Sequence, residues 1–281
     1  MEIRNLLHID FDTLFKGFER AFSDYEIFFE KEEVCSMLKR RGYDPRLSFA
    51  AFDNGEIVAF TLNGIGDFNG IRTAYDTGTG TVKEYRGQGI AAKIFTYSLP
   101  FLKEAGVRQY VLEVLQNNEK AISVYRKMNF DVSREFDCFR QNIDLIDNLS
   151  CSDNCRLMPV ETDIVRRLQH CCDIKPSWQN SMDSIERGGS DLVCLGAFIG
   201  DRIVGYCVFD ENTGDLTQIA VEKECRRKGI ASRLLKEASE RMRTGYIKVL
   251  NIDSDYQPLH SFLKAKNIPL ASRQFEMTLE F

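Results

Sequence analysis

Apolar residues recur with helical spacing in some segments of the 281-residue chain and with strand spacing in others, and the resulting order of elements occurs twice. Each half begins with a short apolar strand, at residues 3–7 and 156–160. Helical stretches follow, then three strands, a helix, a strand, a further helix and final strands. The early helices are predicted at residues 12–22, 31–41, 162–172 and 178–187. The pattern therefore predicts two α/β domains with the same architecture.

A closely matching segment marks the start of a later helix in both halves. It is Tyr85-Arg86-Gly87-Gln88-Gly89-Ile90-Ala91 in the first half and Cys225-Arg226-Arg227-Lys228-Gly229-Ile230-Ala231, 140 residues later, in the second. Turn-forming pairs upstream, Asn54-Gly55 and Gly200-Asp201, predict a hairpin in each half. Between the halves, the polar residues 147–154 predict a linker. We place one domain at residues 1–148 and the other at 149–281.

The helix after each repeated segment is predicted to present one apolar face. In the second half this face consists of Ile230, Leu234, Leu235, Ala238 and Met242, followed by Gly245 as a stop. Its counterpart covers residues 89–105. Pro100 lies inside that helix and predicts a kink, because an interior proline removes one backbone hydrogen bond.

Composition narrows the classes of function. The chain is 43% hydrophobic and 28% charged, with a formal net charge of −5 and an isoelectric point near 5.5. This balance argues against nucleic acid or anionic lipid as a partner and favours a cationic small molecule. The charged first residues and the lack of a long apolar run predict a cytoplasmic protein without a membrane span.

Nine irregularly spaced cysteines predict reduced thiols. One group near the middle of the chain invites a metal-site interpretation: Cys151, Cys155, His170, Cys171 and Cys172. It lacks paired C-x-x-C spacing, so we interpret it as scattered thiols and predict no bound metal.

The repeated segment has the chemistry of an anion-binding loop. Glycine lets the backbone approach a ligand, and the free N–H groups and dipole at a helix start favour phosphate. The alternative is that Gly89 and Gly229 serve only a tight turn or close packing. The first copy, with Ala92, also fits the G-x-G-x-x-A dinucleotide pattern, with Glu113 about 20 residues on. Arg227 replaces the first glycine in the second copy, so the shared feature is R-x-x-G-I-A and the dinucleotide interpretation is disfavoured.

Two motifs in this order resemble those of the GNAT N-acetyltransferases. Residues 86–91 resemble the pyrophosphate loop of that family, and Asn118-Glu119-Lys120-Ala121-Ile122-Ser123-Val124-Tyr125 resembles its N-x-x-A-x-x-L-Y motif. The resemblance covers the first half well, and the second from about residue 192. It implies two domains, each a mixed, mostly antiparallel twisted sheet flanked by helices and splayed between its fourth and fifth strands, where acetyl-CoA binds.

The resemblance also implies roles for individual residues. Backbone around Val82 would meet the acetyl and pantetheine end of acetyl-CoA, and the N–H groups of residues 86–91 would bind the pyrophosphate. Asn118 would contact the pantetheine arm, and Tyr125 would protonate the departing thiolate. Asn118 also suits a helix N-cap, a role that can coexist with the first, and the alternative for Tyr125 is a core aromatic.

An amine acceptor must lose a proton to a carboxylate within reach. The candidates are Asp76, just before the loop strand, and Glu113, on the next strand, with Glu113 slightly favoured. Asp76 has the alternative of bonding neighbouring turn groups, and Glu113 that of lying on a solvated face.

The second half departs from the motif. Aligning residues 255–262 with it puts Asp255 at Asn118 and Phe262 at Tyr125, and needs a one-residue insertion before Asn267; without the insertion Leu263 takes the place of the tyrosine. Neither side chain donates a proton. The expectation is catalysis in the first domain, with residues 226–231 as a second candidate cofactor site.

The functional hypothesis is acetyl transfer from acetyl-CoA to a primary amine of a small cationic acceptor, directly within a ternary complex. The alternative is a non-catalytic acyl-CoA sensor. Trp178, the only tryptophan, either lines a pocket or lies in the core or at a domain interface, the commoner location for a lone large aromatic. The sequence is compatible with a homo-oligomer as well as with a monomer.

Overall fold

The computed structural model describes residues 1–24, 30–147 and 155–281. These residues pack as two compact units: unit 1 contains Met1–Arg134 and Phe275–Phe281, and unit 2 contains Glu135–Gln274. The linker predicted at 147–154 and the boundary near 149 fall almost entirely on residues 148–154, which lie outside the described residues.

Each unit alternates strands with flanking helices, as the sequence pattern predicts. Unit 1 contains β1 (Glu2–Asn5), α1 (Phe11–Phe22), α2 (Lys31–Arg41), β2 (Phe49–Asp53), β3 (Glu56–Phe68), β4 (Ile71–Thr81), α3 (Ile90–Glu104), β5 (Gln109–Leu115) and α4 (Glu119–Lys127). Unit 2 contains β7 (Arg156–Pro159), α5 (Thr162–Arg167), α6 (Met182–Gly188), β8 (Val193–Ile199), β9 (Arg202–Asp210), β10 (Asp215–Val221), α7 (Ile230–Arg241), β11 (Tyr246–Asp253) and α8 (Gln257–Ala265). Two strands, β6 (Asp131–Asn142) and β12 (Leu270–Glu280), have residues in both units.

The early helices are confirmed in unit 1 and corrected in unit 2. The helix predicted at 178–187 is wrong as one element: a 3₁₀ turn, Trp178–Asn180, precedes α6. Ser181 separates them because its backbone is extended and its side chain caps α6 by accepting from the Ser184 N–H. The stretch predicted at 162–172 likewise divides into α5 and a 3₁₀ turn, Gln169–Cys171.

The sheet of unit 1 has the strand order β1-β2-β3-β4-β5-β12. Neighbours from β1 to β4 are antiparallel, whereas β4 and β5 are parallel. These two strands pair only where Thr73–Tyr75 lies beside Gln109–Val111. Because β4 continues to Thr81 without further pairing to β5, a gap opens between the strands beyond Tyr75.

Unit 2 repeats this arrangement, with the order β12-β6-β11-β10-β9-β8-β7. Its parallel pair, β10 and β11, is in register only at Asp215 and Lys248. The predicted fold class is therefore confirmed: in each unit the strands form a mixed, mostly antiparallel arrangement that is splayed between the corresponding parallel strands.

Alternation along the central strands builds a core on both faces of each sheet. In unit 1, Phe60 and Leu62 of β3 pack with α1 and α2, whereas Val58 and Ala59 of the same strand contribute to the cluster under α3. In unit 2, Tyr206 and Val208 face α5 and α6, and Cys207 and Phe209 face α7. Trp178 is also buried, with the Arg187 guanidinium 5.5 Å from its ring centroid.

The end of β12 is tied into unit 1 by a buried ion pair. The Glu276 carboxylate accepts from Arg134 Nε at 2.9 Å and Nη2 at 2.6 Å, and from Ser133 Oγ at 2.8 Å. The Phe281 N–H donates to the Arg108 carbonyl at 2.8 Å, just before β5. Residues 275–281 thus complete the unit 1 sheet although they end the chain.

We predict that Glu276→Ala lowers the free energy of unfolding by about 3 kcal/mol, because it leaves a largely buried arginine without its carboxylate. Urea denaturation measures the change. The control is Glu280→Ala, on the same strand but exposed, for which about 0.5 kcal/mol or less is expected. Equal effects of the two substitutions would contradict the anchoring role of Glu276.

Candidate active site

The glycine loop of unit 1 leaves open space in front of the α3 N-terminus. Gly87 and Gly89 have φ values of +77° and +69°, a region that glycine adopts without strain, and a Cβ on either would meet no atom within 4 Å. Among the described residues, the N–H groups of Gly87, Gln88 and Gly89 have no protein acceptor. The first N–H groups of α3 also lack intrahelical acceptors. Such a loop suits an anion.

The Arg86 side chain anchors this loop rather than facing the open space. Its guanidinium donates to the Asp24 carboxylate at 2.6 and 2.7 Å, to the Ala21 carbonyl at 2.8 Å and to the Thr81 carbonyl at 2.9 Å. The hydrogen bond from Arg86 is the main cause of the lowered pKa of Asp24. The backbone N–H of Arg86 donates to the Lys83 carbonyl, so the N–H groups without a protein acceptor begin at Gly87.

Unit 2 holds its loop in the same way. Arg226 donates to the Asp173 carboxylate at 2.6 Å, to the Cys171 carbonyl at 3.1 Å and to the Val221 carbonyl at 2.9 Å. The conserved geometry explains why the arginine occurs in both copies. No sequence signal pointed to Asp24 or Asp173, because each lies more than 50 residues from its arginine.

A bulge in β4 directs side chains into the gap. Leu62 pairs with Gly78 and Asn63 with Asp76, which leaves Thr77 unpaired. The carbonyl of Thr77 accepts from Arg41 Nη1 at 3.0 Å, at the end of α2. Gly64 permits this approach, because a Cβ there would lie 2.0 Å from the Arg41 carbonyl oxygen. Arg41 is therefore part of the site, although sequence analysis did not identify it.

Asp76 carries the most informative pKa in the gap. Burial raises the pKa of its carboxyl to about 6, while hydrogen bonds from the Thr79 hydroxyl (2.8 Å) and the Gly78 N–H (2.9 Å), together with the Arg41 charge, act in the opposite direction. The turn-bonding alternative considered for Asp76 is thus observed. It is compatible with chemistry, since a carboxyl with this pKa is mostly ionised at pH 7.

Tyr125 lies across the gap on α4, with its ring 5.8 Å from that of Phe130. Burial, and secondarily the charge of Asp76, raises the pKa of the Tyr125 phenol, so the group stays protonated near neutrality. The charge of Asp76 thus acts on the Tyr125 phenol in the same direction as burial. Asn118 caps α4 by accepting from the Ala121 N–H at 3.2 Å, as the helix-cap alternative predicts.

The Glu113 carboxylate and the Val82 backbone, both predicted to face the reaction, form hydrogen bonds within the protein. The Glu113 carboxylate accepts from the Tyr75 hydroxyl at 2.8 Å. The Val82 N–H donates to the Val58 carbonyl, and the Val82 carbonyl accepts from the Tyr85 N–H, both at 2.9 Å. By strand alternation, the β4 backbone groups on the gap side belong to Thr79 and Thr81.

The structure corrects the alignment of the second half. Helices α4 and α8 end with the same hydrogen bond: the Phe130 N–H donates to the Tyr125 carbonyl, and the Ile268 N–H donates to the Leu263 carbonyl. The two helices therefore align without an insertion. Leu263, not Phe262, therefore takes the place of Tyr125, and Tyr256, not Asp255, that of Asn118.

The residue at the Asp76 position also differs between the units. The β10 bulge lies at Thr217, between Leu216 and Gln218, 140 residues after Thr77. By that correspondence Leu216 replaces Asp76 and Gln218 replaces Gly78. The shared threonine at the repeat distance is the signal by which the sequence could have identified the bulge.

One group in unit 2 has the donor atoms of a metal site: His170, Cys171 and Glu222, whose ligand atoms lie within 4.8 Å of one another. His170 Nδ1 lies 2.9 Å from the Arg167 carbonyl, and Glu222 is ion-paired with Arg202. The carboxylate charge is thus already compensated, and protein contacts account for the group. Cys151, named with this cluster above, lies outside the described residues, and Cys155 lies in the core.

The sheet, its gap and its helix-start loop together define an acetyltransferase fold. The model of the acetyltransferase (GNAT) family matches residues 6–130 and 162–266, so the chain belongs to this family, with two copies in tandem.

Relatives agree at the level of family and fold. Over 87 residues, 31% of this chain, the sequence is 37% identical to N-alpha-acetyltransferase 30 of Schizosaccharomyces pombe. It is 30% identical over 86 residues, also 31% of this chain, to N-alpha-acetyltransferase MAK3 of Arabidopsis thaliana. The chain spans 58% and 45% of the lengths of these relatives.

Two solved structures share the fold at 14% identity. A tandem GNAT protein from the clavulanic acid biosynthesis pathway has a TM-score of 0.77, with 99% of this chain and 98% of that chain covered. A GCN5-related N-acetyltransferase from Sphaerobacter thermophilus has a TM-score of 0.71, with 99% and 95% covered. No helix in the described parts of the chain has the length and apolar character needed to cross a bilayer.

We predict that Arg86→Lys accelerates amide hydrogen exchange by roughly tenfold at Tyr85 and Lys93, whose N–H groups donate to the Val82 and Gly89 carbonyls on either side of the loop, because a lysine cannot reproduce the planar fork that joins three acceptors. Mass spectrometry measures the exchange. Arg46→Lys is the control, since that arginine forms an exposed pair with Asp44 away from the loop. Unchanged exchange at both amides would rule out Arg86 as the anchor of the loop.

Proposed function

We propose that unit 1 catalyses transfer of the acetyl group of acetyl-CoA to a primary amine, directly in a ternary complex. One observation carries the proposal: unit 1 combines an open anion-binding loop with the Asp76 carboxyl, hydrogen-bonded at the β4 bulge, and the Tyr125 phenol of α4. This constellation provides the base and the acid that acyl transfer to an amine needs.

The residues of unit 1 fit acetyl-CoA. The open N–H groups from Gly87 to Ala91 suit its pyrophosphate, and the gap-side backbone of Thr79 and Thr81 suits the amide groups of its pantetheine arm. The Asn118 side chain is placed at the start of α4 to contact that arm while capping the helix. Acetyl-CoA supplies an acetyl group activated as a thioester.

Asp76 is our choice for the base that takes the amine proton. With a pKa of about 6 its carboxylate is mostly ionised at pH 7 and still basic enough to accept a proton from an ammonium group, directly or through water. Glu113, slightly favoured from the sequence, is the alternative; its carboxylate accepts the Tyr75 hydroxyl, as that of Asp76 accepts the Thr79 hydroxyl and the Gly78 N–H.

Tyr125 is our choice for the acid. Its raised pKa keeps the hydroxyl protonated, so it can donate to the sulfur as the carbon–sulfur bond breaks. The amine nitrogen forms the new bond to the acetyl carbon, Asp76 holds the proton lost by the amine, and Tyr125 gives one to the thiolate.

We infer a small cationic amine as acceptor from the net charge of −5. The names of the two N-alpha-acetyltransferase relatives support adding a peptide with a free α-amino group to any acceptor panel. Coenzyme A release that depends on the added amine tests the proposal. Tight acetyl-CoA binding without turnover on the whole panel would favour the acyl-CoA sensor instead.

The pH dependence of kcat/KM should follow the ionisation of the Asp76 carboxyl. Because the ionised carboxylate is the active form, we expect kcat/KM to rise with pH along a limb with an apparent pKa of about 6. Asp76→Asn should lower turnover by about 10²- to 10⁴-fold and remove the limb. Arg41 lowers the pKa of Asp76, so Arg41→Gln should move the limb to higher pH.

The control for the charge change is Lys39→Gln, which removes an exposed cation from the same helix. This substitution should leave the apparent pKa of the kcat/KM profile unchanged. A limb that survives in Asp76→Asn would assign the base to another residue.

Tyr125→Phe tests the acid. We expect turnover to fall by about 10²- to 10⁴-fold, because the ring remains but the proton donor is lost. The dissociation constant for acetyl-CoA should change little, since the loop and Asn118 are untouched. Tyr97→Phe, at an exposed position on α3, is the matched control. Unchanged turnover in Tyr125→Phe, where chemistry limits the rate, would reject the acid role.

A further inference from the structure

The gap of unit 2 is bridged by the chain itself. Gln218, on β10, donates from Nε2 to the Asn180 carbonyl at 2.6 Å, and Asn180 donates from Nδ2 to the Leu250 carbonyl, on β11, at 2.7 Å. One residue thus joins the two strands beyond the point where their pairing ends. Asn180 is only 4% exposed, so both hydrogen bonds lie in the interior.

The segment Ser177–Asn180 is held firmly in that place. Trp178 is 2% exposed, and the Trp178 and Gln179 carbonyls accept from the Ser181 and Ser184 hydroxyls at 2.7 and 2.8 Å. Gln218 is itself fixed, because its Oε1 accepts from the Tyr206 hydroxyl at 2.8 Å and from Gln169 Nε2 at 3.1 Å. A buried polar network of this kind is costly to open, since each freed group would lose its partner.

Among the described residues, unit 1 has no counterpart of the Gln218 side chain that reaches Asn180. The bulge correspondence places Gly78 where unit 2 has Gln218, and glycine has no side chain with which to hold a segment across the gap. Leucines replace the proposed base and acid of unit 1 at positions 216 and 263, both of them buried. The residues of unit 2 therefore do not fit the thioester end of acetyl-CoA, despite the similar loop at 226–231.

We propose that Ser177–Asn180 is a built-in occupant of the unit 2 gap, which excludes the pantetheine arm and limits the chain to one acetyl-CoA. The proposal rests on the assignment of acetyl-CoA binding to unit 1. The segment holds one group on each side of the gap, the Gln218 side chain of β10 and the Leu250 carbonyl of β11, and so lies where the pantetheine arm would have to pass. Unit 2 is then a closed copy of the fold rather than a second acetyltransferase.

Titration calorimetry with acetyl-CoA tests the stoichiometry. We expect one equivalent per chain for the wild-type protein and for Gly229→Glu, and none for Gly89→Glu. Two equivalents, or a single equivalent lost in Gly229→Glu, would overturn the proposal. Absence of binding to the wild-type protein would refute the proposed function of unit 1 while agreeing with a closed unit 2.

Hydrogen exchange of the wild-type protein locates the ligand without any substitution. Added acetyl-CoA should protect the amides of residues 86–91 at least tenfold and leave those of 226–231 and 246–253 unchanged. Protection of the last two segments would show that the ligand enters unit 2.

The bridge itself is tested by Gln218→Gly, which copies unit 1, and by Asn180→Ala. Each should accelerate exchange at the Asn180 and Ser181 amides at least tenfold, with exchange in unit 1 as the internal reference. The control is Asn212→Ala, at an exposed position of unit 2. Unchanged exchange at those amides in both variants would show that the hydrogen bonds across the gap do not hold the segment.

Discussion

The early separation of two parallel strands is the constraint on which both units depend. In unit 1, β4 and β5 share only three residue pairs before they part. Beyond that point the facing N–H and C=O groups of the strands need other partners, because unpaired backbone groups in an interior are costly. Unit 1 leaves the gap for a ligand in our proposal, whereas unit 2 supplies Asn180. One structural requirement thus has two solutions in one chain.

Chemistry at the gap follows from a single extra residue in β4. The bulge at Thr77 breaks the strand's regular alternation, places Asp76 and Gly78 on either side of the irregularity and offers a carbonyl to Arg41. Burial and the neighbouring positive charge then act against each other on the Asp76 carboxyl, which leaves its pKa near the working range of a base. In unit 2 the bulge persists without the carboxyl, so the backbone feature alone does not make a site.

The two arginines of the repeated loops are best understood as structural. Arg86 and Arg226 each join a loop to a carboxylate and to the carbonyl groups at the end of an earlier helical segment. This bracing leaves the loop N–H groups to define the anion site. It also explains why the arginine occurs in unit 2, whose gap we propose to be closed: the loop is still held against the neighbouring helical segment.

Local signals in the sequence determined the repeat, the order of elements and the glycine loops, because helical and strand periodicity and the conformational demands of glycine act over a few residues. They also placed Asn118 and Tyr125 on one helix. The mixed, splayed sheet was implied by the resemblance of two motifs to the GNAT family. Tertiary structure decided what depends on residues distant along the chain: the Arg86–Asp24 anchor spans 62 positions and the Asn180–Leu250 bond spans 70. Burial raised the pKa of Asp76 to about 6, and the helix-end hydrogen bonds matched Leu263 rather than Phe262 to Tyr125, because neither packing nor register can be read from local pattern.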